Sequence, residues 1–125
     1  MRDRELGEVA VALRRAGARF AFLHGSASQA SQPRRPDSDL DIAAWWGDRP
    51  PQPWEVELPD GVDLLVLDRA PLELAGRVAM WGTLVFDDDP PARVAWQATT
   101  RLIYLDEEDR QRGLDRDFFS ARASG

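Results

Sequence analysis

Phe20-Ala21-Phe22-Leu23-His24-Gly25-Ser26 and, after twelve intervening residues, Asp39-Leu40-Asp41-Ile42-Ala43-Ala44-Trp45-Trp46 decide how this chain folds. The first stretch is a short apolar run that ends at a glycine, the pattern of a buried strand running into a tight turn. The second reads as another strand, over Asp39 to Trp46, stopped by Gly47. Side chains alternate faces along a strand, so Asp39 and Asp41 point the same way. A third segment, Val62-Asp63-Leu64-Leu65-Val66-Leu67, follows the turn signal Pro59-Asp60-Gly61. It also reads as a buried strand, again with an acid near its start.

Helical signals surround these strands. Leu6, Val9, Ala10 and Leu13 recur at i, i+3, i+4 and i+7, which predicts an amphipathic helix over about residues 3–16, with Gly17 as its stop. Residues 27–37 are small and polar and read as a loop. Residues 48–53 hold three prolines and form a connector, with Trp54 to Leu58 as a short strand. Pro71 suits the first turn of a helix running to about Trp81, and Gly82 suits its end. Thr83 to Phe86 is a further strand. Asp89 is the N-cap of a helix that continues to about Leu105, with Val94, Ala95, Ala98, Leu102 and Leu105 on one side. Residues 106–119 read as a further helical stretch, and the tail at about 120–125 as frayed. With no internal repeat and no linker, residues 1–125 read as one domain. The expected fold class is α/β (α+β): a small mixed sheet with helices packed on one face and the carboxylates at its open side.

Composition narrows the chemistry. There is no cysteine, no lysine and a single histidine, His24. That excludes disulfides, thiolate and Schiff-base catalysis, the lysine of a Walker loop, and metal sites built on Cys or several His. The net charge is -6. It divides into +4 over residues 1–35 and -10 over the rest. An acidic chain is a poor direct binder of nucleic acid. No apolar run reaches the ~20 residues needed to span a bilayer. Met1-Arg2-Asp3-Arg4-Glu5 has no signal-peptide character, so the expected location is cytoplasmic, away from membranes.

What remains is carboxylate, arginine and hydroxyl chemistry. Two carboxylates close together on a rigid strand repel unless a cation sits between them. Their hard oxygens suit Mg²⁺ shared with substrate phosphates. If the strand of Asp63 lies beside that of Asp39 and Asp41, three carboxylates converge, and such a triad can hold two metal ions. Gly25 lets the backbone approach a phosphate, and Ser26 adds a hydroxyl and an amide donor. Arg34 and Arg35 lie between Ser26 and the acids, within reach of a phosphate oxygen.

His24-Gly25-Ser26 followed by Pro36-Asp37-Ser38-Asp39-Leu40-Asp41-Ile42-Ala43 resembles the signature of the DNA polymerase beta-like nucleotidyltransferases. It is most similar to the minimal nucleotidyltransferase (MNT) antitoxins that are paired with HEPN-domain ribonuclease toxins. The resemblance extends through Val62 to Leu67, where that family places its third carboxylate, and covers about residues 5–106. It implies an Mg²⁺-dependent enzyme with ATP as substrate, which adenylylates a partner HEPN toxin on a tyrosine hydroxyl. It assigns Asp39, Asp41 and Asp63 to catalysis and metal binding, and Gly25, Ser26, Arg34 and Arg35 to the nucleotide. The spacing from Ser26 to Asp39 is longer than in that family, which lengthens the loop carrying Arg34 and Arg35. Two other readings are a non-enzymatic antitoxin that works by contact and a transferase acting on a small molecule.

Several residues carry plainer readings. Asp37, Asp39 and Asp41 match the first ligand positions of an EF-hand loop, but Ile42 and Asp48 stand where Gly and Glu are needed. His24 reads as a strand end, with a phosphate or acceptor contact as the other reading. The five tryptophans (45, 46, 54, 81 and 96) read as core, with a base-stacking platform or an interface anchor as the other reading, although Trp45 and Trp46 cannot share a face. Arg77 and Arg101 read as surface residues, and Asp87-Asp88-Asp89 as a solvated helix cap.

Overall fold

The computed structural model describes residues 2–25 and 40–124, with side chains at 3–25 and 40–116. The elements are α1 (Arg2–Arg15), β1 (Phe20–His24), β2 (Leu40–Trp45), β3 (Val62–Val66), α2 (Leu72–Trp81), β4 (Thr83–Asp87) and α3 (Pro90–Ser124). The strands form one sheet in the order β3-β2-β1-β4. β1 runs antiparallel to both β2 and β4, whereas β2 and β3 are parallel. The expected mixed sheet with helices is therefore present.

The helices divide between the two faces of the sheet rather than gathering on one. β1 and β2 are central and apolar on both sides, so both faces need covering. On one face Val9 and Leu13 of α1 pack with Ala21, Leu40, Ile42 and Ala44. On the other, Ala75 and Val78 of α2 pack with Phe20, Phe22 and Ala43, and Trp96 of α3 lies against them. α1 follows from its sequence: Val9 and Leu13 are fully buried, Asp3 and Glu5 sit in the first turn, and Arg14 and Arg15 in the last. Those charges complement the helix dipole. Gly17, at φ 96°, closes α1 with bonds from Gly17 N to Arg14 O and from Ala18 N to Leu13 O. This is a Schellman end, which a left-handed residue makes possible.

Trp54 to Leu58 is not a strand. Pro53–Glu55 form a single 3-10 turn, and the chain up to Val62 joins no sheet. Pro50, Pro51 and Pro53 remove backbone donors from the approach to this segment, which disfavours sheet pairing. The end of β2 is held by Asp68, whose carboxylate accepts from the backbone N–H of Trp46 (3.0 Å) and Gly47 (2.6 Å). α3 is one continuous helix over 35 residues, roughly 52 Å at 1.5 Å per residue. Its cap is as expected, with Asp89 Oδ1 accepting from Ala92 N at 3.2 Å. The other two acids of the cluster are ion-paired, although Asp88 stays exposed to solvent. Asp88 pairs with Arg14 of α1 at 2.8 Å, and Asp87 pairs with Arg93 of α3 at 2.9 Å. Among the described residues no helix is long and apolar enough to cross a membrane.

Candidate active site

Strand register brings the chemistry together. His24 of β1 pairs with Asp41 of β2, and Asp41 pairs with Asp63 of β3. Directly opposed residues on neighbouring strands share a face, with strands about 4.8 Å apart. The three side chains therefore form a row across the sheet. The row lies on the α2 face, because Phe22, Ala43 and Leu65, each two residues away along its strand, pack in that core. It sits where the helical cover ends: Asp63 is exposed, and His24 and Asp41 are half-buried.

Gly25 adjoins the row. Its φ is +69°, in the left-handed region that only glycine adopts without cost. A Cβ placed there would come 2.6 Å from Oδ2 of Asp41. The turn after β1 thus brings bare backbone up to the Asp41 carboxylate. Burial holds the His24 imidazole below its ordinary value of 6.5, against the opposing pull of Asp41, a hydrogen bond with the Ile42 backbone, and Asp63. Two carboxylates on adjacent strands, beside an imidazole whose charged form burial disfavours, are chemistry that suits a cation.

The row opens into a cleft of about 740 Å³, within the usual range for small-molecule sites. His24, Gly25, Asp41 and Asp63 line it. So does a stripe of α2, where Leu74, Arg77 and Trp81 recur at i, i+3 and i+7. The proline-rich connector adds Pro53 and Trp54.

Of the residues singled out in the sequence, Gly25, Asp41 and Asp63 are thus brought together. Ser26, Arg34, Arg35 and Asp39 lie outside the described residues. The tryptophans divide. Trp46 is buried, with Nε1 donating to Ala16 O at 2.9 Å, Trp45 stacks on Phe20 on the opposite face, and Trp96 lies against Phe20 and Phe22. Trp54 and Trp81 instead line the cleft. Arg101 ties α3 to α2, its Nε donating to Ala79 O at 2.6 Å. Arg77 lines the cleft and pairs with Glu73 at 3.3 Å. The sequence puts Arg77 at the surface and Trp81 among the core tryptophans, and does not single out Leu74, because α2 has two stripes. Ala75, Val78 and Ala79 form the core stripe, and a second set at helical spacing was the available signal.

The donor set suits a hard cation. Among the described residues no three His, Cys, Asp or Glu side chains are grouped to hold a metal. Two, Asp41 and Asp63, face the cleft from adjacent strands. Mg²⁺ is usually held by one or two carboxylates, the rest of its shell being phosphate and water, so this pair fits a metal that arrives with a nucleotide.

No protein-family model matches the chain, and no curated protein matches it. Solved structures do. A chain of a toxin–antitoxin crystallised with AMP-PNP aligns at a TM-score of 0.70 and 23% identity, covering 91% of this chain and 98% of that one. A chain from the complex of the tri-AMPylated Shewanella oneidensis HEPN toxin with its MNT antitoxin aligns at 0.70 and 20% identity, covering 95% and 99%. One from the toxin–antitoxin MntA-HepT aligns at 0.68 and 19%, covering 93% and 97%. At these identities the likeness establishes the architecture: the chain has the nucleotidyltransferase fold of MNT proteins over nearly its whole length.

Proposed function

We propose that this protein is a metal-dependent nucleotidyltransferase that moves AMP from ATP to a tyrosine hydroxyl of a partner HEPN toxin, and so acts as its antitoxin. The observation that carries the reading is the His24–Asp41–Asp63 row with Gly25 set against Asp41, in this fold. Support for the partner comes from the similar structures, which are toxin–antitoxin complexes, one of them with an AMPylated toxin.

In this reading Asp41 and Asp63, with Asp39 two residues before Asp41, hold Mg²⁺. When bound, the metal supplies positive charge to the phosphates and to the attacking and leaving oxygens. Gly25 and Ser26 offer backbone and hydroxyl donors to the phosphates, and Arg34 and Arg35 add charge-assisted bonds to the polyphosphate. The tyrosine oxygen attacks the α-phosphorus, forming the new O–P bond as the bond to the pyrophosphate oxygen breaks. Asp63, the exposed member of the row, takes the hydroxyl proton.

Co-expression with a HEPN protein tests this. The two should copurify, and the toxin should gain adenylyl groups, read as mass increments, that are lost with Asp41→Ala. Silencing of the toxin without any mass increment, equally by wild type and by Asp41→Ala, would make the protein a contact antitoxin. Modification of a small molecule with no toxin bound would remove the partner.

A further inference from the structure

Trp54 is 80% exposed, on a segment braced against movement. The Arg69 guanidinium donates to the carbonyls of Pro51 (2.7 Å) and Pro50 (2.8 Å), and Glu55 Oε1 accepts from Gln52 N (2.8 Å). Three prolines fix φ through the same stretch. An indole can bury 150–250 Å² in a core, yet this one is held out by its own loop. Trp81 and Leu74, which line the same cleft, are also exposed, at 49% and 41%. Scattered apolar exposure needs no explanation, but an apolar rim around one cleft does.

The cleft carries both acidic and aromatic groups. Asp41 and Asp63 line it beside Gly25, and Trp54 and Trp81 line it too. A nucleoside triphosphate has the same division, with an anionic chain that binds through metal and a flat, apolar-faced base. We propose that the indole of Trp54 is the platform on which the nucleobase stacks while the phosphates lie at the acid row. This rests on the nucleotidyltransferase reading and adds to it a residue that holds the base. The contact is to the π-face, which every base has, so Trp54 adds affinity without selecting one base. A protein partner's side chain is the competing occupant. The base is favoured because the aromatic rings and the acids line one cleft, sized for a small molecule.

Calorimetry with ATP and with inorganic tripolyphosphate, each with Mg²⁺, separates the parts. Trp54 is so exposed that its truncation leaves the core intact. Trp54→Ala should weaken ATP binding by about tenfold, the worth of one base on one ring. Tripolyphosphate affinity should not change, and Trp54→Phe should restore most of the ATP affinity. If ATP binds wild type no better than tripolyphosphate, there is no base platform, and the phosphate site stands without it. If Trp54→Ala leaves ATP binding intact but abolishes capture of a HEPN partner, Trp54 is a protein contact and the proposal is overturned. If neither ligand binds wild type, the nucleotidyltransferase reading falls as well.

Discussion

The backbone of Gly25 lies so close to Asp41 that a Cβ would stand 2.6 Å from Oδ2 and 3.2 Å from Cγ of that carboxylate. Two costs therefore meet in Gly25→Ala. A φ of +69° costs an L-residue about 1–2 kcal/mol, and the new methyl pushes the carboxylate out of the row. The variant should lose transfer activity and some thermal stability together. Its stability loss should be smaller in an Asp41→Ala background, where the carboxylate that the methyl meets is gone. Additive losses in that double-mutant cycle would mean that the two residues do not touch.

Asp41→Asn and Asp63→Asn keep the side-chain shape and remove its charge. If the row holds metal, each should lower transfer by about a hundredfold or more, the scale of a lost metal contact to the reacting phosphate. Stability should hold or rise, because each change relieves repulsion between neighbouring acids. Thermal melts without metal check the second half. A chain that unfolds on either substitution would make these acids structural.

Much of this arrangement is legible in the sequence, for identifiable reasons. Phe20–His24, Leu40–Trp45 and Val62–Val66 are apolar runs with turn residues close by, and Gly25, Asp41 and Asp63 stand out as polar or bare positions within or beside them. Their meeting in one row is a matter of register, which spacing along the chain does not carry. The alternation of Trp54, Val56 and Leu58 imitates a strand, but those residues reach out from a proline-braced connector, Val56 to the core and Trp54 to the cleft. The unbroken run of α3 is hidden by the loss of an apolar face after Tyr104. There the helix carries pairs such as Glu107–Arg110 and Asp109–Arg112 at i, i+3.

α2 and α3 approach closely at Gly76. A Cβ on Gly76 would run into the Cβ, Cγ and Cδ1 of Tyr104, atoms too near the backbone to swing away. Gly76→Ala should therefore destabilise the protein by about 1–3 kcal/mol despite the better helix propensity of alanine. Denaturant titration measures this. Tyr104→Ala should lessen the penalty of Gly76→Ala, and an unchanged penalty would place the strain elsewhere.

Asp88 ties the junction of β4 and α3 to the last turn of α1 through Arg14, whose Nε and Nη2 donate to its carboxylate at 2.8 and 3.0 Å. Those bonds hold the Asp88 carboxyl below its ordinary value of 3.8, against the opposing effect of desolvation. With the folded value depressed, the pair stabilises the fold above 3.8 and loses that contribution as pH falls through the folded-state value. Asp88→Asn removes the charge and leaves Arg14 over the Phe86 ring, 4.6 Å from its centre. Near neutral pH the variant should melt slightly below wild type, and added salt should narrow the gap, since the pair is exposed. In acid below the folded-state value the two should melt together. A gap that persists in acid would show that Asp88 acts through something other than its charge.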